Sequence, residues 1–150
     1  MANTYTSLHY HVIFSTKNRE PLLSVDARER VWRYLGGIAR ANEMTALEIG
    51  GVADHVHVLV SLPASLAIAK AVQLIKGGSS HWVRENIAGL SGFAWQDGYG
   101  AFTVSESQIE AVRDYIRRQE EHHRARTFAE EYRAFLERHQ VVFDERYLLG

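Results

Sequence analysis

Apolar residues recur along this chain with two different periods, and the switches between them mark out its elements. Residues 8–15 (LHYHVIFS) alternate and are rich in β-branched and aromatic side chains, the pattern of a strand. Ser24 or Asp26 can cap a helix that runs to about Asn42, with Val31, Tyr34, Leu35 and Ile38 on one face. Residues 44–51 (MTALEIGG) read as a second strand ended by a Gly-Gly turn, and residues 55–62 (HVHVLVSL) as a third. Pro63 and Ser65 open a helix over about 65–87, with Leu66, Ala69, Val72, Ile75 and Val83 on one side. Residues 93–105 (FAWQDGYGAFTVS) read as a strand bent or bulged at its glycines. Ser105 and Ser107 offer caps to a helix through about Arg126, in which Ile109, Val112 and Ile116 face inward. A last amphipathic helix covers about 128–139, and the extended tail VVFDERYLLG follows. The order β-α-β-β-α-β with appended helices predicts an α+β fold: a ferredoxin-like (RRM-like) sheet with helices on one face, plus C-terminal helices. That architecture hosts many functions, so activity has to be read from particular residues.

Composition narrows the classes without choosing one. At 150 residues the chain is expected to form a single domain, 1–150, and 46% hydrophobic residues suffice for a real core. No uninterrupted apolar run is long enough for a transmembrane helix, and MANTYTSLHYHVIF lacks the basic start and apolar block of a signal peptide. The absence of cysteine removes disulfides, thiolate metal sites and cysteine nucleophiles together. A cytoplasmic location is the expectation. A formal net charge of -1 argues against a uniformly basic nucleic-acid binder, because counterion release rewards a basic surface. Distribution qualifies that: five arginines lie between Arg113 and Arg126, so a local basic groove fits a neutral protein. Eight histidines matter more, since imidazole is the usual nitrogen ligand for metals.

Two of those histidines share a strand face. Residues i and i+2 of a strand project to the same side, so His55 and His57 stand together with Leu59 while Val56, Val58 and Val60 line the opposite face. Their backbones are then about 6–7 Å apart, close enough for both rings to grip one divalent ion. Such a pair leaves coordination positions open for oxygen ligands, water and a phosphate. An isolated H-x-H is more often two polar-face residues, and His9 with His11 repeats the spacing. Asp54, just before the pair, reads equally as a turn residue.

The helix AVRDYIRRQEEHHRAR supplies a companion. Tyr115 and Gln119 are one turn apart, His122 follows at i+7, and Arg113, Arg117 and Arg118 surround this stripe. Tyrosine is a poor nucleophile at its ordinary pKa of about 10. Beside a metal-bound phosphate it needs less activation, and Gln119 offers a neutral carbonyl oxygen as a third ligand. The same stripe also fits the solvated side of an amphipathic helix.

Six blocks in order carry a resemblance that covers residue 8 to near the end. They are YHVIFSTKNREPLL, ADHVHVLVSLP, AVQLIKGGSSHWVREN, FAWQDGYGAFTVS, VRDYIRRQEEHHR and FAEEYRAFLERHQVVFDERYL. In these blocks the chain resembles the single-tyrosine transposases of the HUH class, including those associated with repetitive palindromic elements. The resemblance implies cleavage and rejoining of hairpin-flanked single-stranded DNA, with Tyr115 forming a 5′-phosphotyrosine and releasing a 3′-hydroxyl. It implies Mg2+ or Mn2+ held by His55, His57 and Gln119, and a homodimer. His11 is expected beside the site, and Arg117, Arg118, Lys17, Arg19 and Lys76 are the expected DNA contacts. The chain is also compatible with a domesticated copy that kept the chemistry but lost its element.

Other classes make different demands. Phosphoesterases with paired H-x-[ST] motifs are excluded, because both pairs here read H-x-H-V. A non-catalytic nucleic-acid-binding module would stack bases on exposed strand aromatics. Tyr10, Phe14 and Tyr99 are the candidates, but Tyr10 and Phe14 share the valine-side parity and so belong to the core. A third class, an inactive dimeric interaction protein, would bind no ion at His55 and His57.

Overall fold

The computed structural model describes residues 3–149. Met1 and Ala2, within the segment read for a signal peptide, and Gly150, the end of the expected tail, lie outside that range. Four strands form one antiparallel sheet in the order β2-β3-β1-β4, with β1 at His9–Ser15, β2 at Thr45–Val52, β3 at His55–Ser61 and β4 at Gly100–Thr103. This is the ferredoxin-like arrangement expected from the order of elements. Helices α1 (Val25–Ala41) and α2 (Ile68–Asn86) connect the strands, and Ser24 caps α1 by accepting from the Ala27 amide.

Alternation along the two central strands divides the side chains between two cores. In the β1–β3 register Val12 faces Val58, Phe14 faces Val56 and Tyr10 faces Val60. These residues pack with Leu35, Val72 and Ile75 of the two connecting helices. The other parity pairs Ser15 with His55, Ile13 with His57 and His11 with Leu59. That face is roofed by α3 (Ile109–Arg117), α4 (Gln119–His122) and α5 (Phe128–Arg138). Ile13 and Phe102 meet Phe128, Tyr132, Phe135 and Leu136 there in a second, largely aromatic cluster. Both faces are covered, so neither Tyr10 nor Phe14 offers a stacking platform.

Three boundaries differ from the sequence expectation. The expected strand over 93–105 shrinks to Gly100–Thr103, with only an isolated Thr16–Trp95 bridge before it. The glycine-rich stretch bends away where a regular ladder would require extended backbone. The helix expected through Arg126 breaks at Arg118, whose φ of -102 and ψ of 28 leave the helical region. The tail is irregular, with one 3-10 turn at Glu145–Tyr147, and Leu148 and Leu149 pack on the aromatic cluster.

Two glycines let the roof approach the sheet. A Cβ at Gly50 would lie 2.8 Å from the Ile116 carbonyl oxygen, and one at Gly100 would lie 2.6 Å from the Tyr132 ring. Both are closer than side chains tolerate, so α3 and α5 can settle on β2 and β4 only over glycine. No helix among the described residues is long and apolar enough to cross a membrane.

Candidate metal and nucleophile site

The second parity of β3 places His55 and His57 under the roof, both fully buried. Each imidazole is oriented through its Nδ1. His55 Nδ1 lies 2.7 Å from Asp54 Oδ1, and His57 Nδ1 lies 2.7 Å from His11 Nε2. Both Nε2 atoms therefore point inward. Outer partners of this kind fix tautomer and ring angle in metal sites. His11 takes the neighbouring position expected of it, and Asp54 proves more than a turn residue. The competing pair dissolves, because His9 instead lies 3.7 Å from Glu106.

The helix carrying Tyr115 delivers its residues to the same point. Gln119 is buried, and its Oε1 lies 3.0 Å from His55 Nε2. Tyr115 is partly exposed and donates its hydroxyl to Glu131 Oε2, a very short contact. Arg126 donates to the same hydroxyl at 2.9 Å. His122 stacks on the Tyr115 ring at 4.4 Å without reaching the cluster, while the next residue, His123, does reach it.

Glu131 of α5 is the hub. Its Oε1 lies 3.0 Å from His57 Nε2, 3.0 Å from His123 Nε2 and 3.3 Å from His55 Nε2. His55, His57, His123 and Glu131 each offer a donor atom, and all four atoms fall within 4.8 Å of one another. A buried set of imidazoles and one carboxylate is suitable chemistry for a divalent ion.

Electrostatics follow from this crowding. Burial opposes charge on His55, but its hydrogen bonds to Asp54 and Glu131 prevail and raise its pKa to about 9. Burial dominates at His57 and lowers its pKa to about 4. His11 lies well below the usual range, through burial and then the proximity of His57. For Glu131, burial favours the neutral acid, yet the hydrogen bonds from His123, His55 and His57 hold it firmly ionised. Burial, then the Glu131 charge, pushes the Tyr115 phenol above its usual range.

The expected DNA contacts are scattered. Arg117 pairs with Glu48 of β2 at 3.1 Å while remaining half exposed, and Arg118 pairs with Asp114 at the surface. Lys17 and Arg19 form a 3-10 turn beyond β1, where the Thr16 amide bonds the Asp54 carbonyl at 2.8 Å, so they flank the histidine end of the sheet. Lys76 belongs to α2 on the opposite side, donating to the carbonyls of Gln96 and Gly98 at 2.6 and 2.7 Å. Two of its three donors hold that loop. A groove of about 620 Å³ opens beside the cluster, with Arg28, Asp54, His123, Arg124 and Arg126 among its lining.

Sequence reasoning passed over Glu131, His123 and Arg126. Glu131 had one available signal. It shares the face of α5 that carries Phe128, Tyr132 and Phe135, and a carboxylate among apolar positions needs a buried partner.

Comparison with known proteins places the chain in a family. The profile of the IS200-like transposases matches residues 4–119. The chain is 27% identical over 124 residues to the transposase for insertion sequence element IS200 of Salmonella typhimurium, covering 79% of this chain and 81% of that protein. It is 29% identical over 119 residues to the ISDra2 transposase TnpA of Deinococcus radiodurans, covering 75% and 84%. A Deinococcus radiodurans crystal structure assigned as a transposase superposes with a TM-score of 0.65 at 25% identity, covering 79% of this chain and 95% of that one. A REP-associated tyrosine transposase bound to a REP hairpin shares the fold, with a TM-score of 0.61 at 16% identity over 82% and 73% of the two chains. With its sheet, its buried histidine pair and a profile match over most of its length, this chain belongs to the IS200-like transposase family.

Proposed function

We infer that this transposase cleaves and rejoins single-stranded DNA through a covalent bond to Tyr115, with a divalent ion beside it. One observation carries the reading: the Tyr115 hydroxyl shares the Glu131 carboxylate with the Nε2 atoms of His55 and His57. The tyrosine oxygen thus sits at the edge of a cation site, where a scissile phosphate would have to lie. His55, His57 and Gln119 would hold Mg2+ or Mn2+. When bound, the ion supplies charge neutralisation at the phosphoryl oxygens.

The chain's own residues do the rest. Asp54 and His11 hold the two imidazoles with Nε2 inward. Arg126, already on the tyrosine hydroxyl, faces any phosphate attacked there and lowers the cost of forming the phenolate. The Tyr115 oxygen bonds to phosphorus and the bond from phosphorus to the 3′-oxygen breaks. The proton lost by the phenol is balanced by the one the leaving 3′-oxygen takes up. Rejoining reverses these steps with another 3′-hydroxyl. Lys17, Arg19, Arg117 and Arg118 are the proposed backbone contacts; Lys76, turned to the far side, is not.

Hairpin DNA as substrate, a homodimer and a cytoplasmic location complete the reading. Within one chain Tyr115 and Gln119 already reach the histidine cluster, and a dimer would serve to hold two DNA ends. The test is incubation with manganese and a pool of labelled single-stranded hairpins, resolved on a denaturing protein gel. Label is expected to stay with the wild-type protein and to vanish in Tyr115→Phe, which should still bind hairpins. Tight binding without an adduct for any hairpin would return the protein to a non-catalytic binding module.

A further inference from the structure

The family profile ends at Gln119, yet two of the donors at the histidine cluster come from beyond it. His123 follows the short helix that begins at Gln119, and Glu131 lies one turn into α5. Both face the same point as His55 and His57. Glu131 Oε1 receives three imidazole nitrogens at 3.0, 3.0 and 3.3 Å. The His57 and His123 hydrogen bonds already fill the two lone pairs of that oxygen, and His55 Nε2, paired with Gln119 Oε1 at 3.0 Å, crowds in beside them. A cation changes that count: each neutral imidazole then presents a lone pair inward, and the carboxylate does likewise.

The spacing suits a single ion. Ligands about 2.1 Å from one metal lie roughly 3.0 Å apart at right angles and roughly 3.4 Å apart at the tetrahedral angle. The three distances from Glu131 Oε1 to the imidazoles fall within that interval, and all four donor atoms lie within 4.8 Å of one another. The orienting contacts agree, since Asp54 and His11 occupy the Nδ1 atoms and leave Nε2 of His55 and His57 for the centre.

We propose that the C-terminal segment adds Glu131 and His123 as direct ligands to the site of His55, His57 and Gln119, so that three imidazoles and one carboxylate face the ion. This deepens the functional reading above and rests on its metal site. Three imidazoles favour a transition-metal divalent ion over Mg2+, which prefers carboxylate and water oxygen. Ligation through α5 also ties the docking of that helix to occupancy of the site, because an ion that bridges two segments stabilises their contact.

Titration of Mn2+ into the full chain, stripped with EDTA and free of DNA, tests the assignment by calorimetry. Wild type, Glu131→Gln, His123→Asn and His57→Asn are compared, with thermal unfolding in EDTA as the folding control. Glu131→Gln is expected to weaken Mn2+ binding about tenfold or more, and His123→Asn to weaken it too. Bound Co2+ should lose its wild-type visible spectrum in Glu131→Gln, a change that a purely structural carboxylate would not cause. Should Glu131→Gln not fold, His123→Asn, at the partly exposed rim, decides the matter alone. Unchanged affinity in the tested variants, with binding lost in His57→Asn, would overturn the proposal and leave the tyrosine reading intact. Tighter binding in Glu131→Gln would also overturn it, since the carboxylate would then be competing with the ion. A wild-type chain that binds neither Mn2+ nor Co2+ would remove the metal from both readings, and the covalent adduct assay would judge the tyrosine separately.

Discussion

His55 depends on its neighbour in sequence as much as on anything across the fold. The carboxylate of Asp54 accepts from its Nδ1, and with Glu131 it holds the pKa near 9. The folded value lies above the ordinary 6.5, so in metal-free protein this group adds stability that is complete below about pH 6.5 and is lost as pH rises towards 9. Thermal unfolding in EDTA from pH 6 to 9 should record that decline. Asp54→Asn should unfold at lower temperature at pH 6 and show a flatter profile; a profile as steep as wild type would dissociate Asp54 from the effect. The parity that put His55 and His57 on one face was legible, because a strand period of two is a local property. The choice between that pair and His9 with His11 was not, since it required knowing which strand face the C-terminal helices cover.

At the scale of elements, α3 is the part that delivers chemistry, and β2 is what holds it. Arg113 and Arg117 both reach Glu48, at 3.4 and 3.1 Å, while Ile116 is buried over Gly50. Replacing Gly50 by alanine would drive a methyl group into the Ile116 carbonyl. We expect a cost of about 1–3 kcal/mol in chemical denaturation and a disproportionate loss of adduct formation, as Tyr115 and Gln119 shift with the helix. Normal cleavage in Gly50→Ala would mean that α3 is not positioned through this contact. The i to i+4 spacing of Tyr115 and Gln119 was readable from sequence. The break at Arg118 was not, because no proline or glycine marks it, and it turns His123 rather than His122 into the cluster.

Across the whole molecule, one sheet supports two cores of different character. The α1–α2 side is a larger, mainly aliphatic core that also holds Phe14, Phe93 and Trp95, whereas the site side depends on a smaller, largely aromatic cluster around Phe135. The Phe135 ring stands 5.1 Å from His11, 5.6 Å from Phe102 and 5.7 Å from Tyr115. Phe135→Ala should therefore destabilise by about 3 kcal/mol, a fall in Tm of roughly 6–12 °C. Hydrogen exchange should quicken first in α5 while β1 and β3 stay protected. Equal acceleration in the central strands would show that the two cores unfold as one. DNA binding should weaken with added salt, with a slope that shrinks when Arg117 or Arg118 is neutralised.

Some of this protein was already fixed by its local patterns. The order of elements, the division of side chains between sheet faces and the one-turn spacing of Tyr115 and Gln119 all follow from periods of two or 3.6 residues, whereas the choice of Ser24 over Asp26 as the cap of α1 does not. Those periods are set by backbone geometry and need no distant contact. Tertiary structure alone decided that Glu131 and His123 join His55 and His57, that Asp54 and His11 aim the imidazoles, and that Lys76 faces away. These depend on how helices settle on a sheet, through glycine-sized gaps and buried charges whose partners lie up to 76 residues away in the chain, the separation of His55 and Glu131. A one-dimensional pattern records that a carboxylate is buried, but only the packed fold determines what it meets.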